Sequence, residues 1–129
     1  RHADLVNAAI PMCGMYRLDI DYHETEMPHG RAYSEEMMGG TPEEYPEKYA
    51  NASPGNFIGQ IRGHLMIVHG LADSNVGPEN THTAVRELTA AGIPHEVVLY
   101  ADEGHGVFRR SNVADYLRRS LAFWGRAFR

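Results

Sequence analysis

Two short segments carry the side chains best suited to chemistry. One reads His69-Gly70-Leu71-Ala72-Asp73-Ser74-Asn75-Val76 and the other Ala101-Asp102-Glu103-Gly104-His105-Gly106-Val107-Phe108. A carboxylate that accepts a hydrogen bond from one imidazole nitrogen fixes the tautomer and stabilises the imidazolium, which leaves the other nitrogen free to act as a general base. Asp73 and His105 stand 32 residues apart, room for one loop, one helix and one strand, so the two side chains can meet. Singly, each is a weak signal. An aspartate close to a glycine in a loop is commonly a turn former, whereas a histidine flanked by two glycines points to close approach of the backbone. The conjunction points to an acid–base pair.

That pair lacks its nucleophile. In one arrangement of such a triad the serine sits on a strained strand-to-helix elbow of the form G-x-S-x-G, upstream of acid and base in the order Ser, Asp, His. Ser34, Ser53, Ser74, Ser111 and Ser120 all lack glycines at that spacing, and the oxyanion donors that belong with the elbow are missing with it. Eight histidines invite a metal reading. They are scattered, without H-E-x-x-H or Cys-x-x-Cys, so neither a metal nor another cofactor is expected. The lone Cys13 reads as a small, buried apolar residue rather than a nucleophile. His69 beside Gly70 reads as structural.

The elements that must position the pair follow from hydrophobic patterning. Asn7 to Met12 reads as a strand with Pro11 at its end. Leu65 to Val68, a continuous apolar run between Gly63 and Gly70, reads as a strand buried on both faces, and His95 to Tyr100 as a third. Asn80 to Ala91 has helical spacing and stops at Gly92. Asn112 to Phe128 sets Val113, Tyr116, Leu117, Ser120, Leu121, Trp124 and Phe128 on one helical face, with the arginines between Arg109 and Arg129 solvated. Met15 to Gly63 is acidic and rich in Pro and Gly, as in short helices and loops. Thr41 before Pro42 predicts an N-cap for a helix from Glu43 to Ala50, and Tyr33, Tyr45 and Tyr49 are expected to pack onto the sheet. This alternation predicts an α/β fold of three layers, about three parallel strands between flanking helices. Functional loops then gather at the carboxyl ends of the strands, where both segments fall.

Length and composition set the bounds. At 129 residues, 43% hydrophobic and 22% charged, the chain suits one ordinary globular unit, residues 1–129. A net charge of −5 argues against a nucleic-acid partner, which needs a basic surface. No apolar run reaches the roughly 20 residues of a membrane span, so no membrane partner is expected. One cysteine cannot form an internal disulfide, which is compatible with a reducing compartment such as the cytoplasm. The chain opens at Arg1 without a methionine and turns apolar within a few residues, so it is expected to be part of something longer.

The segment from Leu65 to Phe108 resembles the end of the catalytic domain of the prolyl oligopeptidase family of serine peptidases. Leu65 to Gly70, Asp73, Val76, Gly92, Val97 to Tyr100 and Glu103-Gly104-His105 carry the likeness. Asp4 to Ala9 is similar to the strand after that family's nucleophile helix. Met38 to Glu44 and Ala52-Ser53-Pro54 are similar to its connecting helical segment. The resemblance implies a C-terminal portion of an α/β-hydrolase domain, with Asp73 as triad acid, His105 as triad base, and Asn75 and Val76 near the substrate, a peptide or an ester. It implies that this chain by itself is inactive. It also implies that the first strand's free edge pairs with the missing N-terminal part of the domain or with a second copy. The alternative expectation is a non-catalytic module that keeps the hydrolase scaffold as an interaction surface.

Overall fold

The computed structural model describes residues 5–129; Asp4, the first residue of the segment likened to the post-nucleophile strand, lies outside them. Three parallel strands, β1 (Ala8–Ala9), β2 (His64–Gly70) and β3 (Glu96–Tyr100), form one sheet in the order β1-β2-β3. β1 is shorter than its apolar run predicts. Ala8 and Ala9 pair with His64 and Leu65, and pairing resumes only as an isolated bridge between Met12 and Val68. Pro11 interrupts the strand because it has no N–H to give, while its carbonyl still accepts from Val68 N–H. β2 and β3 run in continuous register from Met66 opposite Glu96 to Gly70 opposite Tyr100.

β2 is buried on both faces, and its alternation divides the core. Leu65 and Ile67 pack with Ala84 and Leu88 of α4 (Glu79–Ala90) and with Ile58 of the 3-10 helix Pro54–Gln60. Met66 and Val68 pack with Val98, Tyr100 and Phe123 of α5 (Arg110–Ala127). Helices on opposite faces of a parallel sheet make the three-layer architecture the sequence predicts. Each fully buried aliphatic side chain contributes about 1.5–3 kcal/mol, so β2 is the natural anchor for whatever its end presents. α4 stops at Gly92, whose φ of +67° is a left-handed conformation that costs glycine nothing.

The acidic region holds α1 (Leu18–Glu24), α2 (Gly30–Met38) and α3 (Pro46–Ala52). The helix expected from Glu43 starts later. Thr41 and Glu44 do exchange capping hydrogen bonds, from Thr41 N–H to Glu44 Oε2 at 2.9 Å and from Glu44 N–H to Thr41 Oγ1 at 3.3 Å. Pro46 ends that turn, because it lacks an N–H and its ring obstructs the carbonyl four residues back. The same proline then begins α3 at its first position, where no donor is needed. Of the three tyrosines, Tyr49 is buried and donates to Gly40 O at 3.0 Å, while Tyr33 and Tyr45 are exposed. Asn80, buried on α4, ties this region to the sheet: its Oδ1 accepts from Tyr16 and Arg17 N–H at 3.0 and 2.8 Å.

α5 also departs from its expected face. Phe123 is buried, with Tyr116, Trp124 and Ala127 packed around it, while Leu117, Leu121 and Phe128 stand exposed. Its apolar arc is wider than the strip of sheet available to cover it. Its arginines are solvated as expected, paired at the surface from Arg119 to Asp115 and from Arg126 to Glu96.

Candidate active site

The two segments leave the carboxyl ends of neighbouring strands and are stitched together by backbone hydrogen bonds. Leu71 N–H donates to Tyr100 O at 2.8 Å and Ala72 N–H to Glu103 O at 2.9 Å. Gly70 makes the approach possible. A Cβ there would lie 2.3 Å from Gly104 O and 2.4 Å from Glu103 O, well inside contact distance and against backbone that cannot turn away.

Across this seam His105 Nδ1 stands 2.9 Å from Asp73 Oδ2. The Asp73 side chain is fully buried and that of His105 is 47% exposed. Nδ1 faces a carboxylate, so it carries the ring proton, and Nε2 is left as the basic nitrogen on the exposed side. The other carboxylate oxygen, Oδ1, accepts from Asn75 N–H at 2.9 Å and Val76 N–H at 3.1 Å. Burial by itself would push the Asp73 carboxyl up. The His105 hydrogen bond, the Val76 and Asn75 amides and the His105 charge outweigh it and hold Asp73 below the usual carboxylate range.

Three residues given little weight from sequence lie against this pair. His69 is wholly buried, with Nδ1 2.6 Å from Thr81 Oγ1 and Nε2 3.0 Å from Val76 O and 3.2 Å from Asp73 Oδ2. Two acceptors at Nε2 place its proton there, so Thr81 donates to Nδ1. His69 is therefore a second imidazole on the same carboxylate. The signal was the strand alternation, which sets residue 69 on the face of Leu65 and Ile67, toward α4. Glu103, also buried, accepts from Arg109 N–H at 2.7 Å and Asn112 Nδ2 at 2.9 Å, so it fastens the His105 loop to the start of α5.

Cys13 is not within a strand as expected. It follows the Met12 bridge, half-buried, with a φ of +50° that non-glycine residues seldom adopt. Burial, and after it the Asp73 charge, push its thiol up, which keeps it protonated and makes it a poor nucleophile. Asn75 is half-buried and Val76 buried, and the contacts of both run through their backbone to Asp73 and His69. A cavity of about 610 Å³ lies elsewhere, along β1 between Val6, Ala9, Phe57, Ile61 and Leu65.

Such loops on adjacent parallel strands belong to the α/β-hydrolase fold, and comparison with known proteins narrows the class. The chain belongs to the prolyl oligopeptidase family, whose model matches residues 1–129. It is 28% identical over 121 residues to dipeptidyl-peptidase 5 of Porphyromonas endodontalis, a match covering 91% of this chain and 17% of that protein. It is 33% identical over 95 residues to the probable dipeptidyl-aminopeptidase B of Uncinocarpus reesii, covering 71% of this chain and 10% of the relative. In fold it is similar to a Mycobacterium tuberculosis puromycin-hydrolyzing peptidase, with a TM-score of 0.86 at 24% identity over 96% of this chain and 19% of that one. The chain thus spans less than a fifth of the length of each of these three proteins.

Proposed function

We propose that this chain is the acid- and base-bearing part of a serine peptidase's catalytic domain, in which Asp73 orients His105 to deprotonate a serine carried on a preceding segment. The hydrogen bond of 2.9 Å from His105 Nδ1 to a fully buried Asp73 carboxylate carries the reading. In it, His105 Nε2 takes the serine proton as the hydroxyl attacks a peptide carbonyl and then delivers that proton to the leaving amine, while Asp73 stabilises the intervening imidazolium. Asn75, half-buried on the Asp73 loop, is assigned to the substrate side. The Val76 amide and carbonyl hold Asp73 and His69, so its part in substrate binding is limited to the edge of its side chain.

The preceding part of the domain, carrying the elbow and its strand, packs along β1. The apolar cavity there and the exposed Leu5 and Val6 suit a neighbouring strand and helix. An intact acid–imidazole pair weighs against a purely structural module, since nothing in an interaction surface requires a buried carboxylate to hold a histidine tautomer. The relatives' names favour amide over ester bonds.

Turnover of an aminoacyl p-nitroanilide and a p-nitrophenyl ester, measured for residues 1–129 and for a polypeptide extended upstream through a G-x-S-x-G elbow, tests the reading. Activity is expected only in the extended form. There, Asp73→Asn is expected to lower kcat about 10⁴-fold by favouring the wrong tautomer. An extended form whose rate is indifferent to Asp73→Asn and to His105→Ala would show that these residues have no catalytic part.

A further inference from the structure

Asp73 has two neighbours that catalysis does not require. Cys13 Sγ, an imidazole nitrogen of His69 and an Asp73 oxygen lie within 4.8 Å of one another, and His69 Nε2 stands 3.2 Å from Asp73 Oδ2. Tetrahedral zinc, with bonds of about 2.0 Å to nitrogen and oxygen and 2.3 Å to sulfur, sets its donors roughly 3.3–3.6 Å apart. The imidazole–carboxylate edge already has that spacing, and the sulfur has at most about an ångström to close. His69 and Asp73 are buried while Cys13 is part-exposed, so the thiol is the side open to solvent. The left-handed turn at Cys13, held by its N–H on Val68 O at 3.0 Å, brings the sulfur to the acid.

We propose that Cys13, His69 and Asp73 form a site for a thiophilic divalent cation, zinc or cadmium, whose occupation withdraws Asp73 from His105. The proton balance is simple. The thiol proton leaves to solvent, Asp73 is already ionised, and His69 keeps one proton by moving it from Nε2 to Nδ1, where Thr81 Oγ1 at 2.6 Å accepts it. Thiolate and carboxylate then neutralise the dication, which is the condition for holding charge in a buried place. Val76 O loses its donor in the exchange. The fourth position stays open, as in three-ligand zinc centres.

Binding stands on the cluster alone; inhibition rests on the catalytic reading above. Cadmium is titrated into the extended polypeptide and its Cys13→Ser variant, following the ultraviolet thiolate-to-cadmium absorption. The wild type is expected to gain one band equivalent per chain that the variant lacks. Zinc is expected to abolish the wild type's hydrolysis relative to its metal-free rate, to spare the variant's, and to be reversed by a chelator. In parallel, zinc is expected to protect Cys13 from alkylation, read by peptide mass, a measurement that needs no variant to fold. Equal absorption with and without Cys13, or alkylation of Cys13 undiminished by zinc, overturns the site. A band without inhibition leaves the site standing and overturns its coupling to His105.

Discussion

At the scale of single residues, the site is a buried polar layer at the end of β2, and Asp73 is its centre. Five groups converge there: two backbone amides, two imidazoles and a thiol. Of these, the His105 imidazole and the Val76 and Asn75 amides outweigh burial and keep the carboxylate ionised, and charge-assisted hydrogen bonds of this kind contribute about 1.5–3 kcal/mol each. Asp21 shows the opposite outcome in the same neighbourhood. It is buried, its Oδ1 has no partner among the described residues, and burial, followed by the charges of Asp73 and Glu24, pushes its carboxyl up to about 6. A carboxyl raised on folding favours the folded state fully below its unfolded value, near 3.9, and that contribution is lost as pH rises through about 6. Asp21→Asn is therefore expected to stabilise the protein by up to about 3 kcal/mol at pH values above 6 and to lose that advantage near pH 4. Thermal unfolding of both forms across this range checks it, and a gain independent of pH would remove burial of the charge as its cause.

Among elements, what matters is how closely the β2 and β3 loops approach. Their contact is backbone on backbone, with Gly70 against the Glu103 and Gly104 carbonyls, and Glu103 anchors the second loop to α5. Gly70→Ala is expected to push the loops apart and lengthen the Asp73–His105 hydrogen bond without touching either side chain. A displacement of about an ångström in a catalytic group costs on the order of 10²-fold in rate, so kcat of the extended polypeptide should fall by that much with little change in KM. The low-field Nδ1 proton of His105 in the nuclear magnetic resonance spectrum is the structural readout. If it persists unshifted in Gly70→Ala, the glycine does not set the loop spacing.

At the largest scale the described residues form a three-stranded sheet with β1 at one edge. Among the described residues β1 pairs only with β2, an apolar cavity of about 610 Å³ opens beside it, and α5 leaves Leu117, Leu121 and Phe128 exposed. Unpaired strand edges beside apolar surface are templates for association. Residues 1–129 expressed alone are expected to self-associate, and the form extended upstream to be less prone to it because its added strand covers β1. Light scattering over a dilution series measures this. A monomer of residues 1–129 at every concentration would show that the edge is not adhesive.

Much of this was legible in the linear chain because it depends on local rules. An apolar run between glycines gave β2, a β-branched apolar run gave β3, helical spacing ending at Gly92 gave α4, and the order of strands and helices gave a parallel sheet whose carboxyl rim collects the functional loops. Asp73 and His105 could be paired from sequence because that order leaves two adjacent loops few places to go. Other features depend on what each residue meets in space. Thr41 and Glu44 formed their capping box, yet Pro46 and the packing of Tyr49 decided where α3 begins. α5 has apolar residues around a wide arc, and only the narrow strip of sheet determined that Phe123 is covered and Leu121 is not. The roles of Cys13 and His69 were hidden most deeply. Cys13 stands in no motif and His69 only beside the glycine of one, and they meet because the turn after the Met12 bridge and the end of β2 bring a thiol and an imidazole to one buried carboxylate, with the Thr81 hydroxyl of α4 on the far nitrogen of that imidazole, a convergence set by long-range packing rather than by spacing along the chain.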